Sequence, residues 1–129
     1  MRYLTQAFAL GALRRGKAIE QFLGPVEVDG VAGVRWVAVS SSAGKYSVTV
    51  HTVQDLDDDE FLDMANFPPL DPVDEEYAGQ GRELGRHDDP GAAVELAERL
   101  TGAVPERWVN FAVVGEEYAD FVRSRRQQL

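Results

Sequence analysis

The sequence predicts a single α+β domain, with a small, mostly antiparallel sheet and helices packed on one face. Two runs rich in β-branched residues, 34–40 and 45–53, are separated by four residues that include a glycine, which is typical of a β-hairpin. Residues 90–101 combine helical spacing of apolar side chains with a proline at the start and a glycine at the end. The 129 residues suit one domain, 1–129, and are enough to bury a core.

Two short helices are expected at the start of the chain. Residues 3–13 carry apolar side chains near helical spacing and predict the first helix. Gly16 then interrupts the pattern. In residues 17–23, three apolar side chains stand at positions i, i+3 and i+4, so we expect a second short helix, which Gly24 and Pro25 end.

The second strand of the predicted hairpin, residues 45–53, alternates between two faces. The core-like face consists of Tyr46, Val48, Val50 and Thr52. The half-polar face consists of Ser47, Thr49, His51 and Val53. This alternation predicts a sheet with one wet face.

The middle of the chain has weaker signals. Residues 55–60 predict a charged loop, and residues 61–67 fit a strand or a short helix equally, ended by Pro68. Residues 71–89 have no sustained periodicity, so we expect a long loop there.

The last third of the chain predicts two helices and a strand. Asp89, followed by a proline, is typical of a helix N-cap, and Gly102 ends this helix. Residues 107–114 indicate a strand, although Pro105 fits the start of a helix equally well. Residues 116–127 predict the final helix, because its acidic start and basic end match the helix dipole.

Acidic residues are concentrated in one segment, at about 55–89. The chain has 22 acidic and 13 basic residues and a formal net charge of -9. Thirteen of the acidic residues lie in this segment, together with only two basic residues, Arg82 and Arg86. Such a surface repels phosphate backbones and attracts cationic partners, so we expect no nucleic-acid binding.

Several kinds of chemistry are excluded or disfavoured. The absence of cysteine excludes disulfides, thiolate metal ligands and thiol catalysis. Asp55, Asp57 and Asp59 have the alternate spacing of a calcium loop, but Glu60 occupies its glycine position and Asn66 its bidentate glutamate position. No glycine-rich phosphate loop is present. We therefore expect neither a metal nor a cofactor.

No catalytic residue is predicted either. Ser47 and His51 share a strand face but are about 13 Å apart, which is beyond hydrogen-bond reach. A serine opposite His51 across the hairpin, Ser40 or Ser42, stays open as an alternative. The basic cluster at 14–17 fits either a solvated turn or an anion site.

The leading functional hypothesis is a non-enzymatic protein-binding module that engages a basic protein partner, for example a neutralising or immunity-type protein. Apolar side chains interleaved with acidic ones suit such an interface, because the anchors supply affinity and the acids supply approach rate. The expected partner-binding residues are Asp57, Asp58, Asp59, Glu60, Asp63, Phe67, Asp71, Asp74, Glu75 and Glu76.

The alternative hypothesis is a small enzyme or ligand-binding protein. Its pocket would lie between sheet and helices, with Trp36, Tyr46 and His51. A homodimer that pairs through a sheet edge or the final helix is a third expectation. We expect a cytoplasmic protein with no membrane contact, because basic residues occupy the place of a signal-peptide cleavage site and no long apolar run exists.

Overall fold

A computed structural model describes residues 2–60, 63–71 and 81–128 of the chain. In these residues a five-stranded antiparallel sheet is packed with three helices, which confirms the α+β prediction. The helices are α1 (Gln6–Arg14), α2 (Pro90–Thr101) and α3 (Val114–Gln127). The strands are β1 (Ile19–Val28), β2 (Val31–Ser42), β3 (Lys45–Gln54), β4 (Arg82–His87) and β5 (Val109–Asn110). Their order across the sheet is β4-β3-β2-β1-β5.

The predicted hairpin is confirmed as β2 and β3. The two strands pair from Gly33 opposite Gln54 to Ser42 opposite Lys45. Ala43 and Gly44 form the turn with φ angles of 53° and 78°. A two-residue turn with left-handed backbone at both positions matches the right-handed twist of the paired strands.

The second predicted helix, residues 17–23, is wrong, because these residues begin β1. Ile19 pairs with Val39, and the pairing with β2 continues with a shift in register between Phe22 and Gly24. Ile19 and Phe22, which helical spacing placed on one face, lie in two different cores. Long-range pairing with β2 outweighs the local pattern, since short apolar runs fit both helix and strand.

The long loop predicted at 71–89 is also partly wrong, because it contains β4. This strand pairs with β3 from Tyr46 opposite His87 to Val50 opposite Arg82. Most of its residues are exposed and polar at the edge of the sheet, so no apolar alternation marks it. Residues 72–80 lie outside the described residues.

The two segments whose sequence fitted both a strand and a helix, 61–67 and 107–114, each contain or follow a short 3-10 turn. In 61–67 the turn covers Met64–Asn66, and residues 61–62 lie outside the described part. In the later segment, a turn at Pro105–Arg107 precedes β5, so the strand predicted over 107–114 is only two residues long. The helix predicted at 90–101 is confirmed, and the final helix begins two residues earlier than predicted.

The two faces of the sheet have separate cores. The first core lies under α1 and α2 and consists of Ala9, Ala12, Leu13, Ile19, Val37, Val39, Val48, Ala93, Ala97, Ala103 and Trp108. The second core packs α3 and the segment 63–71 against the other face and consists of Val34, Trp36, Val53, Met64, Phe67, Val109, Val114, Tyr118 and Val122. The α+β fold with helices packed on the sheet is confirmed, but the helices were predicted on one face, and α3 packs on the second face, of which it covers only part. The uncovered remainder of that face is the place where a site can form.

Candidate functional site

A hollow opens on the second face of the sheet, beside the second core. It has a volume of about 410 Å³ and is lined by Glu20, Trp36, Asp63, Met64, Ala65, Phe111, Ala112 and Val114. A second hollow of about 280 Å³ shares Glu20, Trp36, Ala65 and Phe111 with it and extends over Ala18, Ala38, Ser40, Thr49 and His51. We call this continuous depression the Trp36 hollow.

The floor of the Trp36 hollow is a stacked pair of rings. Trp36 on β2 lies opposite His51 on β3, with ring centroids 4.6 Å apart and planes inclined by 5°. Gly81 packs closely against the imidazole, because a Cβ at this position would lie 2.7 Å from His51 Cε1. Its φ of 76° also favours glycine. Tyr46, the third residue of the predicted pocket, packs against the first core on the opposite face of the sheet.

A buried carboxyl group stands beside this floor. Glu20 on β1 is 6% exposed, and its Oε1 accepts a hydrogen bond of 2.8 Å from the N–H of Ala112. Burial raises the pKa of Glu20 above its usual value, and the Ala112 N–H and the Trp36 indole oppose this rise only in part. The Trp36 indole N–H is itself buried and meets no acceptor in hydrogen-bond geometry among the described residues.

An exposed aromatic ring stands at the rim. Phe111 is 68% exposed and lies in a turn closed by the Val113 N–H, which donates to the Asn110 carbonyl at 3.0 Å. Ala112 in the same turn has a φ of 74°, which is unfavourable for a residue with a Cβ. Because Glu20 bonds to the N–H of Ala112, the buried carboxyl group fixes the strained turn that presents Phe111.

Sequence reasoning missed both Glu20 and Phe111 as site residues. A signal existed for Glu20, since a single acidic residue interrupts an apolar stretch that a buried strand would fill. Phe111 belongs to a run that reads as a strand, and its exposure depends on a turn that no local motif marks.

A basic hollow is also lined by Phe111. It has a volume of about 610 Å³ and is lined by Arg15, Gly16, Lys17, Ala18, Asn110 and Phe111. Phe111 therefore lines both an acidic depression and a basic one. Whether the cluster at 14–17 binds an anion stays a prediction.

The start of the acidic segment is clamped to α3. Arg125 Nη1 lies 2.6 Å from Asp55 Oδ2, and Arg125 also pairs with Asp57. Asp59 is bound by Arg123 Nε at 3.0 Å and by Arg126 Nη1 at 3.1 Å. These charged hydrogen bonds turn the predicted loop at 55–60 into an ordered surface.

The remaining acidic residues differ in their surroundings. Glu60 and Asp63 are exposed, and Asp63 also lines the Trp36 hollow. Asp58 is partly buried and accepts a hydrogen bond of 2.9 Å from the N–H of Glu60.

Phe67 and Asp71 do not reach the surface in the way that a partner contact requires. Phe67 is 2% exposed and packs edge-on against Tyr118. Asp71 is 8% exposed and lies 3.0 Å from Arg82 Nε. The other predicted contacts, Asp74, Glu75 and Glu76, lie outside the described residues.

The described ranges, 2–60, 63–71 and 81–128, contain neither a cluster of metal-binding side chains nor a helix suited to cross a membrane. No group of three or more histidine, aspartate or glutamate side chains in these ranges is arranged to hold a metal ion. None of the helices in these ranges has the length and apolar character needed to span a membrane. Comparison of the chain with models of protein families, with curated proteins and with solved structures found no match.

Proposed function

We propose that the protein is a non-enzymatic binding module that engages a basic protein partner with the face around the Trp36 hollow. The observation that carries this proposal is the exposed ring of Phe111 beside a hollow bordered by Glu20 and Asp63. A large apolar ring next to carboxylates is the arrangement that anchors a basic partner and discriminates against an acidic one. A protein that neutralises a basic toxin is one concrete form of this function.

The clamped acidic loop supports the proposal. Residues 55–60 contain five carboxylates, and three arginines of α3 bind them. Negative charge therefore remains on this loop, and its ion pairs with α3 hold its backbone in place before a partner arrives. A preorganised surface loses less entropy on association than a mobile loop.

The charge of the whole chain supports the same class of partner. A formal net charge of -9 on 129 residues accelerates the approach of cationic proteins over about 8 Å at physiological salt. Such steering raises the association rate more than it raises the affinity, so the apolar contact at Phe111 is still required.

A second candidate function is small-ligand binding in the same hollow. It is favoured by three polar side chains that line the hollow beside Trp36, namely Ser40, Thr49 and His51. A few convergent polar groups in a mostly apolar depression are typical of ligand sites.

Site-specific photo-crosslinking tests the proposed function. The photoreactive residue p-benzoylphenylalanine replaces Phe111, and the purified protein is irradiated in native extract at low ionic strength. The matched control carries the same residue at Phe8 on α1, where the native ring is 67% exposed. We expect saturable adducts with proteins of high isoelectric point from position 111 and not from position 8.

Charge reversal at the proposed surface provides the second arm. Glu60→Lys/Asp63→Lys should reduce these adducts at least tenfold. A control variant with the same net charge, Glu27→Lys/Asp88→Lys, alters exposed acids elsewhere and should retain them. The proposal would be overturned if both variants gave the same yield of adducts, or if the adducts formed mainly with acidic proteins. An adduct with a small molecule alone would establish the second candidate instead.

A further inference from the structure

We infer that the Trp36 hollow receives one arginine side chain of the basic partner, with the Glu20 carboxylate as the counter-charge of its guanidinium group. This inference rests on the proposed function and names the group that the hollow recognises. Four observations on the described residues support it: a buried carboxyl group that forms no ion pair with them, an indole N–H near that group but outside hydrogen-bond geometry, an apolar and aromatic lining, and a second carboxylate at the mouth.

The Glu20 carboxyl group is buried without a cation. It is 6% exposed, and no lysine or arginine in the described part of the chain forms an ion pair with it. A buried carboxylate is costly unless it is paired and hydrogen-bonded, and here the Ala112 N–H supplies a bond to one oxygen. A cation that enters the hollow would therefore be stabilised most at this group.

The indole N–H of Trp36 lies near the Glu20 carboxyl group but outside hydrogen-bond geometry. Its side chain is 2% exposed, it lines the hollow, and its N–H makes no hydrogen bond with the described residues. An ionised Glu20 is a stronger acceptor than a protonated one. A bound cation favours the ionised form, so cation binding would strengthen the contact between the indole N–H and Glu20.

The lining distinguishes a guanidinium group from an ammonium group. Met64, Ala65 and Val114 present apolar atoms, and Trp36 and Phe111 present aromatic rings. A guanidinium ion is planar and weakly hydrated, and it stacks on aromatic faces. An ammonium ion is strongly hydrated, so it loses more hydration free energy when it enters such a site. The three methylene groups of an arginine side chain suit the apolar wall.

The mouth of the hollow favours an arginine that belongs to a protein. Asp63 is exposed at the mouth and adds a second carboxylate, while Phe111 stands beside it as a large exposed apolar surface. A free guanidinium compound would use only the hollow. A protein partner would place an arginine in the hollow and would also cover the Phe111 ring, so one partner accounts for the hollow and for the exposed ring.

The test uses model compounds of known charge. N-acetylargininamide, the neutral isostere N-acetylcitrullinamide and N-acetyllysinamide are titrated into the protein, and ¹H–¹⁵N spectra follow the Trp36 indole and the Ala112 amide. We expect the arginine compound to bind at least tenfold more tightly than the citrulline compound and at least threefold more tightly than the lysine compound. The largest shifts should occur at these two N–H groups.

Two variants make the result specific. Glu20→Gln keeps an oxygen that accepts from the Ala112 N–H and should abolish the preference for arginine over citrulline, whereas Glu27→Gln at an exposed position of β1 should preserve it. Ala65→Trp places a large ring over the hollow from an exposed position and should abolish binding of the arginine compound without altering a buried group. This second variant keeps the test decisive if Glu20→Gln does not fold.

Three results would overturn the inference: equal binding of the arginine and citrulline compounds, an unchanged preference in Glu20→Gln, or shifts confined to the loop at 55–60. The crosslinking at Phe111 separates this failure from failure of the proposed function. If basic proteins still crosslink while the arginine compound does not bind, the guanidinium site is wrong and the docking surface stands. If both fail, neither proposal stands.

Discussion

Asp55 shows how a single side chain joins the acidic segment to the helical layer. Its carboxylate accepts a hydrogen bond of 2.6 Å from the Tyr118 hydroxyl group and another of 2.6 Å from Arg125. Burial alone would raise the pKa of Asp55, but the bonds from Arg125, Tyr118 and the Asp57 N–H outweigh it and hold the pKa below its usual value. Burial and the bond to Asp55 raise the pKa of Tyr118 to about 12. The contact therefore stabilises the ionised carboxylate and the protonated hydroxyl group.

The lowered pKa of Asp55 predicts a dependence of stability on pH. Its contribution is complete above the unfolded pKa of about 3.9 and is lost as the pH falls through the lower folded value. Asp55→Asn should reduce the free energy of unfolding by about 2 kcal/mol at pH 7, because a charged hydrogen-bond acceptor is lost. Urea denaturation at pH 7, 4 and 2.5 should also show a flatter decline below pH about 4 for this variant. Asp88→Asn, at an exposed position, should follow the wild type, and identical curves for Asp55→Asn would contradict the prediction.

Ala112 predicts a gain in stability on substitution. A left-handed backbone costs a residue with a Cβ about 1 kcal/mol, and Ala112 has a φ of 74°. Ala112→Gly should therefore raise the free energy of unfolding by about 1 kcal/mol in chemical denaturation. Ala92→Gly, inside α2, should lower it by about the same amount because its backbone is helical. A loss of stability in both variants would argue against strain at Ala112.

At the level of elements, α2 could be predicted from the sequence because its boundaries depend on local hydrogen bonds. The Asp89 carboxylate accepts from the Ala92 N–H at 2.8 Å, and Gly102 ends the helix with a φ of 79°. Both interactions join residues within about one helical turn, so the residue types that form them can be recognised in a short stretch of sequence. The prediction of β1 as a helix failed because its partners lie on β2 and its faces are defined only after folding.

The cap of α2 provides a test at this scale. Asp89→Ala should lower the free energy of unfolding by about 1 kcal/mol, because the N–H of Ala92 loses its acceptor. Asp88→Ala is the matched control, since its side chain is 72% exposed and does not cap the helix. Thermal denaturation monitored by circular dichroism measures both variants. Equal melting temperatures for the two would show that the cap contributes nothing.

The site was predictable only in part, for the same reason. The hairpin pattern placed Trp36 and His51 on strands that pair, and the structure stacks them. Glu20 and Ala112 are separated by 92 positions, and no local pattern links them. Phe67 was expected at the partner surface because it lies among acidic residues, but it fills the second core. Composition indicates charge well, whereas burial depends on which elements meet.

At the scale of the whole molecule, the N-terminal segment is tied to the last helix. Glu117 has a side chain that is 5% exposed, and it accepts hydrogen bonds from Arg2 at 2.6 Å, Tyr3 at 3.0 Å and Arg107 at 3.3 Å. The Leu4 N–H also donates to the Trp108 carbonyl at 2.8 Å. The contacts of Arg2, Tyr3 and Leu4 join residues more than 100 positions apart, so they tie the start of the chain to its last third.

Removal of the Glu117 carboxylate should therefore destabilise the packing of both the N-terminal segment and α3. Glu117→Ala should lower the free energy of unfolding by about 2 kcal/mol, because Tyr3 and Arg107 lose a charged hydrogen-bond acceptor and Arg2 keeps only Asp120. Its neighbour Glu116 is exposed in the same first turn of α3, so Glu116→Ala keeps the same change in net charge and serves as the control. Chemical denaturation should give the difference, and hydrogen exchange should show faster exchange at the Leu4 N–H. If Glu116→Ala lowers the free energy of unfolding as much as Glu117→Ala does, the effect comes from the helix dipole instead.

The edge strands of the sheet are poorly suited to pair with edge strands of a second copy of the chain. β5 pairs with β1 at Ile19 and Glu20, and no described strand pairs with residues 23–28 on that side. That stretch is broken by Gly24, with a φ of 98°, and by Pro25, which has no N–H to donate. At the opposite margin, β4 exposes Arg82, Glu83 and Arg86. Within the described residues neither edge offers a straight, uncharged template for strand addition, so these two edges should disfavour fibril growth when the protein is concentrated.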